Sequence, residues 1–169
     1  YMVDESLVTH LKRTVGNELE SEYRKLLDYA DNEILLTEQQ KLAIMQSLYN
    51  CKILDPACGS GAFPVGVLQQ MVHILKQIDP DNSRWKNMLL QFAIDETSEA
   101  YLNSTAEERR EAVADIERAF DENVNYPDYA RKLHLIENCI YGVDIQPIAI
   151  QISKLRFFIS LVIDQKRNN

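Results

Sequence analysis

The stretch "KILDPACGSGAF", residues 52–63, decides how the chain is to be read. It opens on a short, mostly apolar run at 52–55, the composition of a strand. It then turns through two glycines and enters a stretch of helical period. Over 63–78, Val67, Met71, Ile74 and Ile78 form one stripe, which Leu68 and Leu75 widen. Strand, glycine turn and helix in that order start a nucleotide-binding α/β unit. Gly59 and Gly61 can take positive φ and bring the backbone close to a ligand. The helix after them points N–H groups toward the same place.

A second strand is expected at residues 139–145, "CIYGVDI", with Asp144 at its end. An acid there is placed to accept both hydroxyls of a ribose. Pro147 suits the first turn of the next helix, where its missing N–H is no loss. In that helix Ile148, Ile152, Leu155, Phe158, Ile159 and Val162 predict a buried face.

The chemistry of the turn narrows the ligand. A phosphate-loop ATPase needs Lys-Ser or Lys-Thr after its glycines, and here Ala62-Phe63-Pro64 follow. A dinucleotide fold wants a third small residue where Pro64 stands. Asp55, just before the turn, would repel a pyrophosphate and suit an ammonium group. A ligand with a ribose, an amino acid tail and no phosphate fits, and S-adenosylmethionine has all three properties.

Residues 1–50 read as a helical region. Leu7, Val8, Leu11 and Val15 make one helical face, with Gly16 as its stop, and Leu19, Tyr23, Leu26 and Leu27 make a second. Thr37 with Gln40 predicts a capping box ahead of Leu42, Met45, Leu48 and Tyr49. Residues 51–169 then form a partial α/β domain with a helical insertion at about 84–133. Within the insertion a helix is expected around Trp85 to Phe92. Another should be capped by Ser104 with Glu107 three residues on, its apolar face made by Val113, Ile116 and Phe120.

Composition bounds the function. The chain has 169 residues, enough for one domain with a core, and is 46% hydrophobic and 26% charged, as globular proteins are. A net charge of -8 disfavours autonomous DNA binding, because phosphate contacts dominate such affinity. The three cysteines, Cys51, Cys58 and Cys139, sit in apolar surroundings and suit a reducing, cytoplasmic location rather than a disulfide framework. They form no metal-ligand pattern with the three histidines. No apolar run approaches membrane-spanning length, and no secretory leader is visible.

Asp55-Pro56-Ala57-Cys58-Gly59-Ser60-Gly61 resembles motif I of the amino-methylating DNA methyltransferases. With "IYGVDIQPIAIQISKLRFFISL" (residues 140–161), it resembles more closely the adenine-N6 methylase part of Type IIG restriction–modification proteins. The resemblance implies a Rossmann-like fold dependent on S-adenosylmethionine, present here in part. It places Asp55, Ala57, Cys58, Gly59 and Gly61 around the methionine end of the cofactor. Asp144 would hold the ribose hydroxyls, and Ile145 would pack on the adenine ring. Tyr1, in "YMVDESLVTHL", matches the Tyr of a cofactor-proximal Tyr-Thr-Pro segment, although Met2 and Val3 replace the Thr and Pro. In the intact protein the partner would be duplex DNA and the reaction direct methyl transfer to the adenine amino group. Mg2+ would belong to a nuclease domain.

Two departures qualify the match. Asp144 follows Asp55 by about ninety residues rather than about twenty, which an insertion at 84–133 would explain. The Asn-Pro-Pro-Tyr motif that clamps the flipped adenine is absent from the 169 residues. This chain is therefore expected to be an opening segment of the catalytic domain, without catalytic residues of its own and inactive alone.

Read singly, several of these residues have plainer roles. Asp144 suits a helix cap as well as a ribose, and Ile145 suits a core position. Cys58 reads as a small packing residue, with no base beside it to make a nucleophile. His10, His73 and His134 each lie in or beside an apolar helical pattern. Trp85, Tyr101, Tyr126 and Tyr129 read as packing of the insertion. Two other functions stay open: a methyltransferase acting on RNA or a protein amide, and a non-catalytic interaction module.

Overall fold

The computed structural model describes residues 1–30, 32–95 and 104–166. Tyr101 and the residues around it lie outside the described residues. The elements run in the order α1 (Met2–Thr14), a 3-10 turn (Asn17–Leu19), α2 (Glu20–Leu27), α3 (Glu38–Tyr49) and β1 (Ile53–Asp55). There follow α4 (Ala62–Ile78), α5 (Ser83–Ile94), α6 (Ala106–Ala119), α7 (Asp128–Asn138), β2 (Ile140–Gly142) and α8 (Pro147–Val162). β1 and β2 pair in parallel, with Ile53 opposite Ile140, Leu54 opposite Tyr141 and Asp55 opposite Gly142. A parallel pair needs a long crossover connection, and here α4 to α7 supply it.

Helix α4 is the axis of the core. Its predicted stripe of Val67, Leu68, Met71, Ile74, Leu75 and Ile78 is buried throughout. Leu7, Val8 and Leu11 of α1, Tyr23, Leu26 and Leu27 of α2, and Met45 and Leu48 of α3 join it in one cluster. The α3 pattern is off at its start, since Leu42 is exposed and Ile44 is buried instead. The Thr37 capping box forms as predicted, with Gln40 as its reciprocal partner. In α6 the box slips by one residue. Thr105 rather than Ser104 caps the helix and pairs with Glu108, while Arg109 donates to the Ser104 carbonyl. The sequence offers a hydroxyl with an acid three residues on in both frames, so spacing alone could not choose.

The segment from α5 to α7 packs into the same core. Trp85, Met88 and Leu89 of α5 and Leu135 of α7 belong to the same buried cluster as α4. Tyr49 stacks on His134 of α7, with ring centroids 4.6 Å apart, and Trp85 meets the same imidazole edge-on at 5.4 Å. Burial holds the His134 imidazole down at about 4 from an ordinary 6.5. As pH falls, the unfolded chain therefore takes up the proton first. This contribution to stability is whole above about 6.5 and is lost as pH drops toward 4. Urea unfolding at neutral and mildly acidic pH should show a fall in stability that His134→Phe reduces. An identical pH dependence in the variant would show that the histidine is not the group responsible.

The apolar face expected to be buried on α8 is not buried. Ile148, Ile152, Leu155, Phe158, Ile159 and Val162 are between 42% and 67% exposed. The helix instead turns Ser153 inward and packs Phe157 against the core. Lys132 of α7 donates to the Ser160 carbonyl and pairs with Asp164, fixing the far end. The apolar period was real, but among the described residues the sheet has only two strands, and no further strand lies under that face.

Candidate functional site

The glycine turn forms where β1 hands over to α4. Gly59 adopts φ 53° and Gly61 φ 83°, a region that side-chain-bearing residues seldom enter. The Gly61 N–H donates to the Cys58 carbonyl at 2.8 Å, closing the turn. Pro64 occupies the first turn of α4 and is buried, its missing N–H being one the helix does not need there.

β2 locks this turn from the other side. The Val143 N–H donates to the Asp55 carbonyl at 2.9 Å, and the Cys58 N–H donates to the Val143 carbonyl at 3.0 Å. Parallel pairing thus extends past the regular strands into the turn itself. Asp144 completes it. One carboxylate oxygen accepts the Gly59 N–H at 2.8 Å. The other accepts the Gln146 N–H at 2.8 Å, which starts α8. One carboxylate thus ties the glycine turn to the entry of α8.

Asp55 points into the same region. Its Oδ1 accepts the Ala57 N–H at 3.1 Å, while Oδ2 has no hydrogen bond among the described residues. Cys58 lies between the acids and is buried. Burial raises its thiol pKa, and the carboxylates of Asp144 and Asp55 raise it further. A thiol so placed stays protonated and is a packing group, not a nucleophile.

Two residues that the sequence did not single out shape the turn. A Cβ on Gly61 would overlap Ser153 Oγ and sit 3.1 Å from Ser153 Cβ, so α8 crosses directly against the turn. A Cβ on Gly142 would sit 2.9 Å from Cys58 Sγ. The available signals were a Ser within the apolar stripe region of the helix and a Gly in the short second strand. Gly59 differs from both, since a Cβ built on it would meet nothing within 4 Å. Its positive φ is therefore needed in front of open space, the condition for close approach by a ligand.

Of the remaining predicted residues, Ile145 is 94% exposed beside Asp144, and Tyr1 is 92% exposed at the start of α1. The turn, Asp55 and Asp144 thus come together, with Ile145 next to them in the open. The Tyr1 carbonyl accepts the Glu5 N–H at 3.0 Å, in the first turn of α1. Val113 and Ile116 of the insertion face clefts among the helices, with no residue of the glycine turn in their linings.

The donor set has a definite chemistry. It offers two carboxylates, a glycine with open space before it and no basic side chain at the turn. Such a site accepts hydroxyls and an ammonium group and repels phosphate. Among the described residues there is no group of His, Cys, Asp and Glu that could hold a metal ion, and no helix is long and apolar enough to cross a membrane.

Comparison with known proteins points the same way at a coarser level. The chain is 28% identical over 132 residues to a protein of Methanocaldococcus jannaschii named as a type II restriction enzyme and methyltransferase. The match takes in 78% of this chain and 8% of the relative, so the chain spans less than a tenth of that protein's length. The chain is similar to a restriction–modification methyltransferase. No protein-family profile and no solved structure matches it.

Proposed function

We propose that this chain is the S-adenosylmethionine-holding portion of a DNA adenine-N6 methyltransferase within a restriction–modification protein. The reading is supported most by the Gly59–Asp144 hydrogen bond, which joins the glycine turn to the acid of the second strand across 85 residues. On this reading the fold is the opening of a Rossmann-like methyltransferase domain with an insertion at α5 to α7. Asp144 keeps a lone pair on each oxygen for the ribose hydroxyls. Asp55 turns its free oxygen toward the ammonium group of the methionine tail. The backbone at Gly59 admits the nucleoside to contact distance, and Ile145 offers an apolar surface to the adenine. When bound, the cofactor supplies a methyl group activated by its positive sulfur. The protein's task is to hold that group in one orientation and to leave the acceptor nitrogen free to approach in line. The acceptor side needs a clamp for the flipped base, which the 169 residues lack, so duplex DNA is a partner of the intact protein.

The test is calorimetric titration of S-adenosylmethionine into the chain and into Asp144→Asn. The amide keeps one oxygen to accept the Gly59 N–H and gives up only the bond from the Gln146 N–H, so the fold should survive. It loses the charge that strengthens the ribose contacts, worth about 1.5–3 kcal/mol, or about 10- to 100-fold in affinity. Equal affinity in the two proteins would remove Asp144 from the site. No measurable binding by the parent chain would remove the cofactor assignment for this segment.

A further inference from the structure

A cavity of about 380 Å3 lies between α5, α6 and α7, with Tyr49 of α3 also in its lining. Leu89, Ile116, Phe120 and Leu133 give it apolar walls. The room comes from small residues, since Ala112, Ala119 and Ala130 line it where larger side chains would fill it. Volumes of this order hold small organic ligands. Its polar lining consists of His134, Asn138, Asp115 and Glu137, with no lysine or arginine. Asp115 is already paired with Arg118, at 2.9 Å. Glu137 makes no salt bridge or side-chain hydrogen bond among the described residues. Glu137 lies exposed at the rim, where partial burial and the neighbouring Asp115 work against its negative charge. His134, held neutral, does not offset it.

We propose that this cavity is a binding site for a small organic cation, an apolar body carrying one ammonium group. The body would displace water from the leucine, isoleucine and alanine walls. The ammonium group would rest at the mouth against Glu137 and Asp115, supplying the positive charge that the lining lacks. The site is separate from the glycine turn, and the proposal does not depend on what that turn binds.

Trp85 is the only tryptophan of the chain and touches His134, which lines the cavity, so its fluorescence reports occupancy. The probe is 2-phenylethylamine as its cation, titrated into the 169-residue chain beside 2-phenylethanol, which has the same body without the charge. A saturable change with a Kd below about 1 mM is expected for the amine, an affinity within reach of so few heavy atoms, and at least about fivefold weaker binding for the alcohol. Glu137→Gln, a substitution at an exposed rim position, should weaken the amine by a similar factor. Ala112→Leu should abolish binding by filling the space. Absence of a saturable response, equal binding of amine and alcohol, or unchanged amine binding in Glu137→Gln would each overturn the proposal. The Gln variant keeps the test decisive even if the Leu variant fails to fold.

Discussion

Gly61→Val is expected to lower the unfolding free energy by about 3–5 kcal/mol, a large fraction of the stability of an ordinary small domain. Two independent effects add. The residue sits at φ 83°, where a β-branched side chain is strongly disfavoured. Its Cβ would also overlap Ser153 Oγ and press to 3.3 Å from the Ser153 Cα, on the helix backbone. Neither body can retreat easily, because Gly61 closes the turn through Cys58 and Ser153 is buried on α8. The double variant with Ser153→Gly separates the two effects. It should recover the part due to collision with the hydroxyl and Cβ and leave the backbone strain, about 1–3 kcal/mol, in place. Urea unfolding followed by circular dichroism measures both. A loss under about 1 kcal/mol in Gly61→Val would mean that the turn and α8 are not pressed together as described.

Arg131→Ala should be nearly as damaging, at about 3–5 kcal/mol, for an electrostatic reason. Arg131 and Asp79 are both 1% exposed, and their charged groups lie 3.9 Å apart. The guanidinium also donates to the Asp79 carbonyl and, at 3.2 Å, to the Asp128 carboxylate. Asp79 in turn accepts the Trp85 N–H at 2.9 Å and the Arg84 N–H at 3.3 Å, at the start of α5. Burial raises the Asp79 carboxyl and depresses the Arg131 guanidinium, although each partner opposes the shift of the other. Removing the arginine leaves a buried carboxylate with backbone donors alone. The double replacement Arg131→Met with Asp79→Asn removes both charges and should restore a large part of the loss. If Arg131→Ala shifts the urea midpoint no more than an exposed arginine such as Arg118 does when changed, the pair is not the keystone of the insertion.

These two effects differ in how visible they were in the sequence. The stripe on α4, the Thr37 capping box and Pro147 at the head of α8 were legible because each is a local pattern within a few residues. The glycine turn was legible because Gly59, Gly61, Asp55 and Asp144 are chemically unusual where they stand. What was not legible depends on contacts between distant segments. Arg131 lies in "YARKLHL", which reads as a charged helix surface, and nothing nearby announces Asp79 fifty-two residues earlier. Ser153 reads as a polar break in an apolar helix until Gly61 is seen against it. The α8 face shows the converse error. Six apolar residues at helical spacing establish that a face exists, and only the neighbours of the helix determine whether it is covered.

The bond from Gly59 to Asp144 also has a consequence in time. On a ribosome, the glycine turn emerges well before the acid that fixes it, and the whole of α5, α6 and α7 is made in between. At about 5–20 residues per second, the separation of 85 residues imposes a delay of roughly four to seventeen seconds. During that interval β1 has no parallel partner, and the turn lacks the hydrogen bonds from Val143 and to Asp144. The insertion can fold in the meantime through its local helices, which form far faster than translation proceeds. Closure of the turn is then a late, long-range event, and its rate depends on how soon the insertion brings α7 beside α4 and delivers β2 to the edge of β1.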